Sequence, residues 1–375
     1  MTAAGPAASA AAGPAPDVIT ASAAVALVHA ALTAVGVPDS DAADVADALV
    51  ETSLRGVDTH GLRLLPQYLD ELARGVAVAR PDVQVRRDHG AGVLIDAGGA
   101  LGVVAGLTAA RIAEQRARQH GVAAVGVTNS NHFGAAAVYS RWLAQRGLVG
   151  VVTTSAAPRV APFGGVDPLF GTNPISVAAG SGADEFALDM ATSQVCFGEI
   201  KQRQAQGLPL EPGWASGRAG EPVLDPDLAH GLAPLGGYKG QGLAMVATLL
   251  GAVLTGSPPD WQLSQIGHSP DGTGRRVGHL VICLDPAAFA GVDAFAAGLS
   301  DLTAAVRAAP AAAAPENGAR REPVLVPGDP QRAHAEHRCR AGIPLDPATA
   351  DALHRLAADL ATRADPTPTD LVVTS

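Results

Sequence analysis

His132 stands in Asn131-His132-Phe133-Gly134, at the exit of an apolar, strand-like run from Val122 to Val127. An imidazole fixed in a loop by a rigid strand can exchange a proton with a ligand near neutral pH, and the ends of strands are where such domains place their ligands. A single histidine here could equally cap the strand through a hydrogen bond. A second histidine follows a hydroxyl in Thr59-His60, at what reads as the start of a helix, where a threonine caps the first turn and the positive helix end favours an anion. Lys239 lies in Pro234-Leu235-Gly236-Gly237-Tyr238-Lys239-Gly240. The glycine pair admits a ligand close to the backbone, and the lysine is either a phosphate partner or a solvated cation. Thr172-Asn173 before Pro174 reads as a turn.

The elements that position these groups follow from periodicity. Val18, Val25, Val28, Leu32 and Val35 recur at helical spacing; a second helix starts at Asp39/Ser40 after Pro38 and stops at Gly56. A third carries Leu62, Leu65, Tyr68, Leu69 and Leu72, so the first 75 residues are expected to be wholly helical. Beyond Pro81 strands are expected at Val83 to Val85, Val93 to Ile95, Val122 to Val127, Leu148 to Thr153, Ile175 to Ala178 and Phe186 to Met190. Helices are expected between them, from Val103 to Gln119 and from Ala135 to Gln145. The uncharged stretch Gly242 to Gly256 is too short to cross a bilayer, which takes roughly 20 residues, and is assigned to a buried helix. Gly98-Gly99-Ala100-Leu101-Gly102 lacks the GxGxxG spacing of a dinucleotide fingerprint and is assigned to a turn. A helix from Asp346-Pro347 to about Ala361 is expected to pack on the N-terminal helices.

The predicted organisation is a disordered leader over 1–16, a helical domain assembled from 17–80 and 305–375, and a central α+β domain over 81–304. Ala308 to Arg321, rich in Ala and Pro, is expected to be a loop or linker. The 375-residue chain has 36 acidic against 26 basic residues, a net charge of −10 that repels nucleic acid. No nucleic-acid partner and no membrane span are expected. Cys196, Cys283 and Cys339 are far apart and read as reduced packing residues, which suits a cytoplasmic protein. His334 and His337 have metal-like spacing but no further ligands nearby, so they are taken as a surface pair and no metal is expected.

Taken together, the segments Arg55 to Gly61, Asn131 to Gly134, Ala161-Pro162-Phe163-Gly164-Gly165, Gly171-Thr172-Asn173-Pro174, Leu188-Asp189-Met190-Ala191-Thr192-Ser193 and Pro234 to Gly240 resemble the malate/L-lactate dehydrogenase family. These are reductases of 2-oxo acids that use NAD(H) or NADP(H) without a Rossmann fold. The resemblance spans about residues 18 to 345. It implies a mixed-sheet, non-Rossmann cofactor domain and a homodimer with sites near the subunit interface. By the same resemblance His132 is the proton donor and His60 a second catalytic residue. Thr59, Arg63, Thr172 and Asn173 would meet the substrate carboxylic acid, and Ser155, Asp189, Met190, Ala191 and Lys239 the cofactor. Two positions depart from the family pattern. Its usual arginine four residues after His60 is Leu64 here, with Arg63 one position earlier, and Ala156 stands where some members carry serine. The alternatives are an NAD(P)H-dependent reductase of a cyclic imino carboxylate and a cofactor-binding protein without turnover.

Overall fold

The computed structural model describes residues 17–311 and 323–363. The expected leader and most of the expected linker lie outside them. At the centre is a seven-stranded mixed sheet in the order Gln84–His89, Gly92–Asp96, Val122–Ser130, Val277–Leu284, Val149–Thr154, Ile175–Ala179, Phe186–Met190. All neighbours are antiparallel except Gly92–Asp96 beside Val122–Ser130. The expected strands are present, but the central one, Val277–Leu284, has no counterpart in the sequence reading. It is buried along nearly its whole length on both faces, so the alternation that marks a half-buried strand is missing.

The helices Gly102–His120 and Ala137–Ala144 cover one face. The first of these buries an alanine-rich side, including Ala105, Ala109, Ala113 and Ala117, and ends at Gly121 with φ 81°. Its first residue meets the loop after Val122–Ser130 so closely that a Cβ on Gly102 would overlap the carbonyl oxygens of Asn131 and His132. The other face is covered by Tyr238–Thr248 and its π-helical continuation Leu249–Val253. This segment is not the buried helix expected over 242–256: Met245, Leu249, Val253 and Leu254 are exposed along its outer side.

The two chain ends meet. Val18 pairs with Pro344 and Ile19 with Ile343, the helix Pro347–Arg363 packs on Ala21–Ala34, and Asp329–Ala341 packs on Asp39–Leu54. The N-terminal 75 residues are therefore not wholly helical. Val18 belongs to a short strand, and the third helix, Leu65–Ala73, begins only after two successive 3₁₀ turns, Asp58–His60 and Leu62–Leu64. Arg338 clamps these turns, donating from Nη1 to Asp58 Oδ1 at 2.6 Å and from Nη2 to Oδ2 at 3.1 Å. Of the cysteines only Cys283 is buried; Cys196 is half-buried beside a cleft and Cys339 is exposed. His334 and His337 are both exposed.

The tight contact at Gly102 gives a direct test. Gly102→Ala is expected to lower stability by about 1–3 kcal/mol, the usual cost of forcing atoms into a packed site. Gly298→Ala, on an exposed helix with open space around the added methyl, is expected to raise stability by roughly 0.5–1 kcal/mol. Denaturant midpoints of the two variants check both signs.

Candidate functional site

His132 is delivered by the end of Val122–Ser130, and its loop is locked from three sides. Asn131 donates from Nδ2 to the carbonyls of Gly99 and Ala100, each at 2.9 Å, and accepts the Arg275 amide at 3.3 Å. Phe133 stacks on His279 with ring centres 4.5 Å apart and packs against Tyr139 at 4.8 Å. The Nδ1 edge of His132 is turned into the protein, 3.0 Å from the Tyr68 hydroxyl, and the Gly134 amide, 3.3 Å away, donates to it in the tautomer protonated at Nε2. A phenol can donate or accept by rotating its hydrogen, so Tyr68 can follow either protonation state of the ring. Nε2 has no protein partner among the described residues.

The His60 ring is stacked 5.9 Å from that of His132 at 24°, and its Nδ1 lies 2.9 Å from the Thr59 hydroxyl. Thr59 therefore serves its neighbouring histidine and does not cap the third helix. Burial pushes both imidazoles below the ordinary histidine value, His132 furthest, with Arg275, His60 and His279 adding to the effect. Both rings are neutral at pH 7.

These histidines line a narrow inner chamber of about 50 Å³ with Ser155, Thr172 and Arg275. A larger cleft of about 210 Å³ adjoins it and shares His60, Gly134, Thr172 and Pro174. Asp189 lies on this outer cleft. Its Oδ2 accepts the Ala137 amide at 2.8 Å, yet the surrounding protein outweighs that help and raises its pKa to about 6. One wall holds Glu185 between Arg55 Nη2 at 2.6 Å and Arg141 Nη2 at 2.9 Å, and the two guanidiniums hold its carboxyl below the usual range.

The remaining predicted residues divide. Ser155 is buried at the inner chamber, but its hydroxyl is already engaged with the backbone of Gly278 at 3.3 Å. Thr172 lines both spaces, and Ala191 lines the outer one. Met190 pairs with Ile175 in the edge strand and lines neither. Asn173 is turned away from the chamber. At φ 40° its Nδ2 donates to Asp260 at 2.6 Å, Thr248 at 3.0 Å and the Ala244 carbonyl at 3.1 Å, pinning the outer helix to the loop. Lys239 is the exposed second residue of Tyr238–Thr248 and lines neither space.

Arg63 is misplaced for a carboxylate partner. In 3₁₀ turns side chains repeat every three residues, so burying Leu62 and Leu65 turns Arg63 outward. It lines a separate groove with Asp58 and Asp346. Tyr68 and Arg275 went unread as site residues. Tyr68 sits in an amphipathic helix pattern that accounts for it as core, and Arg275 sits in Asp271-Gly272-Thr273-Gly274-Arg275-Arg276, which matches no motif.

This arrangement can exchange a proton at a small ligand in the inner chamber while the outer cleft holds a larger group next to it. The groups along that cleft suit a dinucleotide. A carboxylate can accept ribose hydroxyls, the start of Ala137–Ala144 brings the positive end of a helix to the cleft, and an open passage leads to the His60–His132 pair. Relatives of known activity share the whole framework. The sequence pattern of the malate/L-lactate dehydrogenase family matches residues 19–354. The chain is 32% identical to a malate dehydrogenase of Pyrococcus horikoshii, covering 84% of this chain and 87% of that one. It is 39% identical to an NADP-dependent (2R)-3-sulfolactate dehydrogenase of Chromohalobacter salexigens over 70% of this chain and 79% of the relative. Its structure superposes on the sulfolactate dehydrogenase of Methanocaldococcus jannaschii with a TM-score of 0.83 at 29% identity, covering 92% of this chain and 97% of the other. With the paired histidines, the non-Rossmann sheet and this full-length likeness in agreement, the chain belongs to the malate/L-lactate dehydrogenase family of NAD(P)-dependent oxidoreductases.

Proposed function

We propose that this enzyme interconverts a small 2-hydroxy acid and the corresponding 2-oxo acid, with His132 as the group that holds and moves the proton. The observation that carries this reading is the free Nε2 edge of His132 in a chamber that also holds a second imidazole and a guanidinium. A nicotinamide cofactor held in the outer cleft would supply or take the hydride. Asp189, Ala191 and the start of Ala137–Ala144 would hold the cofactor, while Thr59 keeps His60 oriented as a donor to the substrate oxygen. In the oxidation direction neutral His132 accepts the hydroxyl proton at Nε2 and its Nδ1 proton is held by Tyr68; reduction runs the same transfer backwards. Phe133 and the helix starting at Gly102 exclude water from the buried side of the ring. The helical layer built from the described residues 17–80 and 323–363 carries His60 and Tyr68, so it closes the chamber over the sheet part.

Assaying malate, 3-sulfolactate, pyruvate and a cyclic imino acid with NAD and NADP in both directions tests the reading. Turnover confined to the imino acid, or none at all, would displace it. His132→Ala is expected to lose roughly 10²- to 10⁴-fold in kcat while cofactor affinity holds.

The depressed basicity of His132 fixes the sign of the pH dependence. Oxidation needs the neutral ring, so its kcat/KM is expected to stay level as pH falls through 6.5. Reduction needs the protonated ring, a minor species throughout this range, so its kcat/KM is expected to rise roughly tenfold per pH unit lowered between 8 and 6.5. A reduction profile that stays level between pH 8 and 6.5 would remove His132 as the titrating group.

The exposed row of Met245, Leu249 and Val253, continued by Leu254, is supporting ground for a homodimer, since a contiguous apolar patch on a monomer commonly marks an interaction site. Light scattering is expected to give twice the chain mass, and Leu249→Glu with Val253→Glu to give monomer. A cytoplasmic setting is in keeping with three unpaired cysteines, and among the described residues no helix is long and apolar enough to cross a membrane.

A further inference from the structure

The inner chamber contains one cation whose hydrogen bonding is unfinished. Arg275 stands on the loop entering the central strand and is 6% exposed. Its Nη2 donates to the Ser264 carbonyl at 3.1 Å, but Nε and Nη1 have no hydrogen-bond partner. The nearest carboxylate is Glu71, with Oε1 3.8 Å from Nη1, close enough to hold the charge in place and too far for a hydrogen bond. A buried donor without an acceptor costs on the order of 1–3 kcal/mol, and more when charged. Both Glu71 oxygens are likewise without a hydrogen-bond partner, so the ion pair is loosely made, and Arg275 lines the chamber beside His132 as a cation that a small anion entering there would meet.

The rest of the chamber narrows what that ligand is. Of its lining side chains His60 and His132 are neutral and Ser155 is engaged with Gly278, so Arg275 provides the positive charge. Leu64 packs against the core and does not line the chamber, and Arg63 faces another groove. The Arg275 amide is bonded to Asn131, the residue before His132, so the guanidinium and the proton-transfer imidazole are registered to each other through a single side chain.

We propose that Arg275 binds the substrate carboxylate, so that this chain recognises its acid from the sheet side of the chamber and not from the turns that carry Arg63. The assignment rests on the hydroxy-acid reading above. Arg275 is thus a specificity-determining residue contributed by a segment more than two hundred positions from His60 in the chain.

The test compares kcat/KM for a 2-oxo acid and its neutral amide in the unmodified enzyme, Arg275→Gln, Arg275→Lys and Arg63→Ala, with NADH and NADPH dissociation constants measured alongside. Loss of charged hydrogen bonds predicts that Arg275→Gln lowers kcat/KM for the acid by roughly 10- to 100-fold, while the amide changes little and cofactor affinity holds. Arg275→Lys should recover part of the preference, and Arg63→Ala should keep all of it. The proposal is overturned if Arg275→Gln keeps the acid preference, if it weakens cofactor binding while that preference stands, or if Arg63→Ala loses it. Should Arg275→Gln fail to fold, Arg275→Lys and the exposed Arg63→Ala still decide between the two cations. Thermal stabilisation by oxamate, a carboxylate with no reducible ketone, separates this idea from the function it rests on. If no 2-oxo acid turns over yet oxamate stabilises the unmodified protein and not Arg275→Lys or Arg275→Gln, the anion site stands and the reaction assignment falls.

Discussion

Everything in the site depends on the buried seam between the strand Val277–Leu284 and its two neighbours. His279 lies wholly inside the sheet, its Nδ1 2.6 Å from the Thr154 hydroxyl and its Nε2 2.8 Å from that of Ser130. Burial pushes its pKa down to about 3, so the ring remains a neutral tie across three strands. One flank of that tie ends at Asn131-His132, the other at Ser155, and the strand itself begins just after Arg275. The same ring is the surface on which Phe133 stacks. A polar residue at the centre of an apolar sheet is tolerated because both nitrogens are satisfied, and the result is a rigid register at the point where three chain segments must converge.

Around this seam the electrostatics follow from solvent exclusion. Two imidazoles 5.9 Å apart near a guanidinium cannot all be charged in a small buried space, and the histidines yield because their protons are the least tightly held. The chamber is thereby left with neutral rings able to exchange protons and a permanent cation able to hold an acid. Outside it, Asp189 is raised toward neutrality by the same exclusion, although two backbone amides favour its ionised form. Polarity is thus graded from a drier inner chamber to a wetter outer cleft, which suits a small reacting acid inside and a long polar cofactor outside.

The helical layer solves a different problem. His60 and Tyr68 come from the N-terminal fifth of the chain and must be held against a loop of the sheet. The ends of the chain do this jointly: the strands Val18–Ile19 and Ile343–Pro344 pair, and Arg338 grips Asp58 two residues before His60. The sheet part therefore sets His132 and Arg275, and the layer made by both termini sets their partners.

Local pattern was sufficient for most of the edge and flanking strands, for the helices of the sheet layer and for the place of His132, because a run such as Val122 to Val127 and the glycine that ends Gly102–His120 act over a few residues. The short motifs carrying His60, Thr172 and Asp189 were legible for the same reason. The sequence could not reveal the strand Val277–Leu284, since burial on both faces erases its alternation, nor the exposure of the helix after Gly237, since an apolar face looks alike whether it meets a core or a surface. Arg63 and Arg275 show the limit most sharply. The family resemblance offered Arg63 only as the cation next to the expected arginine position, and two 3₁₀ turns rotate it outward to keep Leu62 and Leu65 in the core. Arg275 reaches the chamber only because the central strand pairs with segments about 125 to 160 positions away. Residue types and short motifs marked the candidate groups; which cation shares the chamber with His132 was decided by long-range strand pairing, whose partners no local pattern encodes.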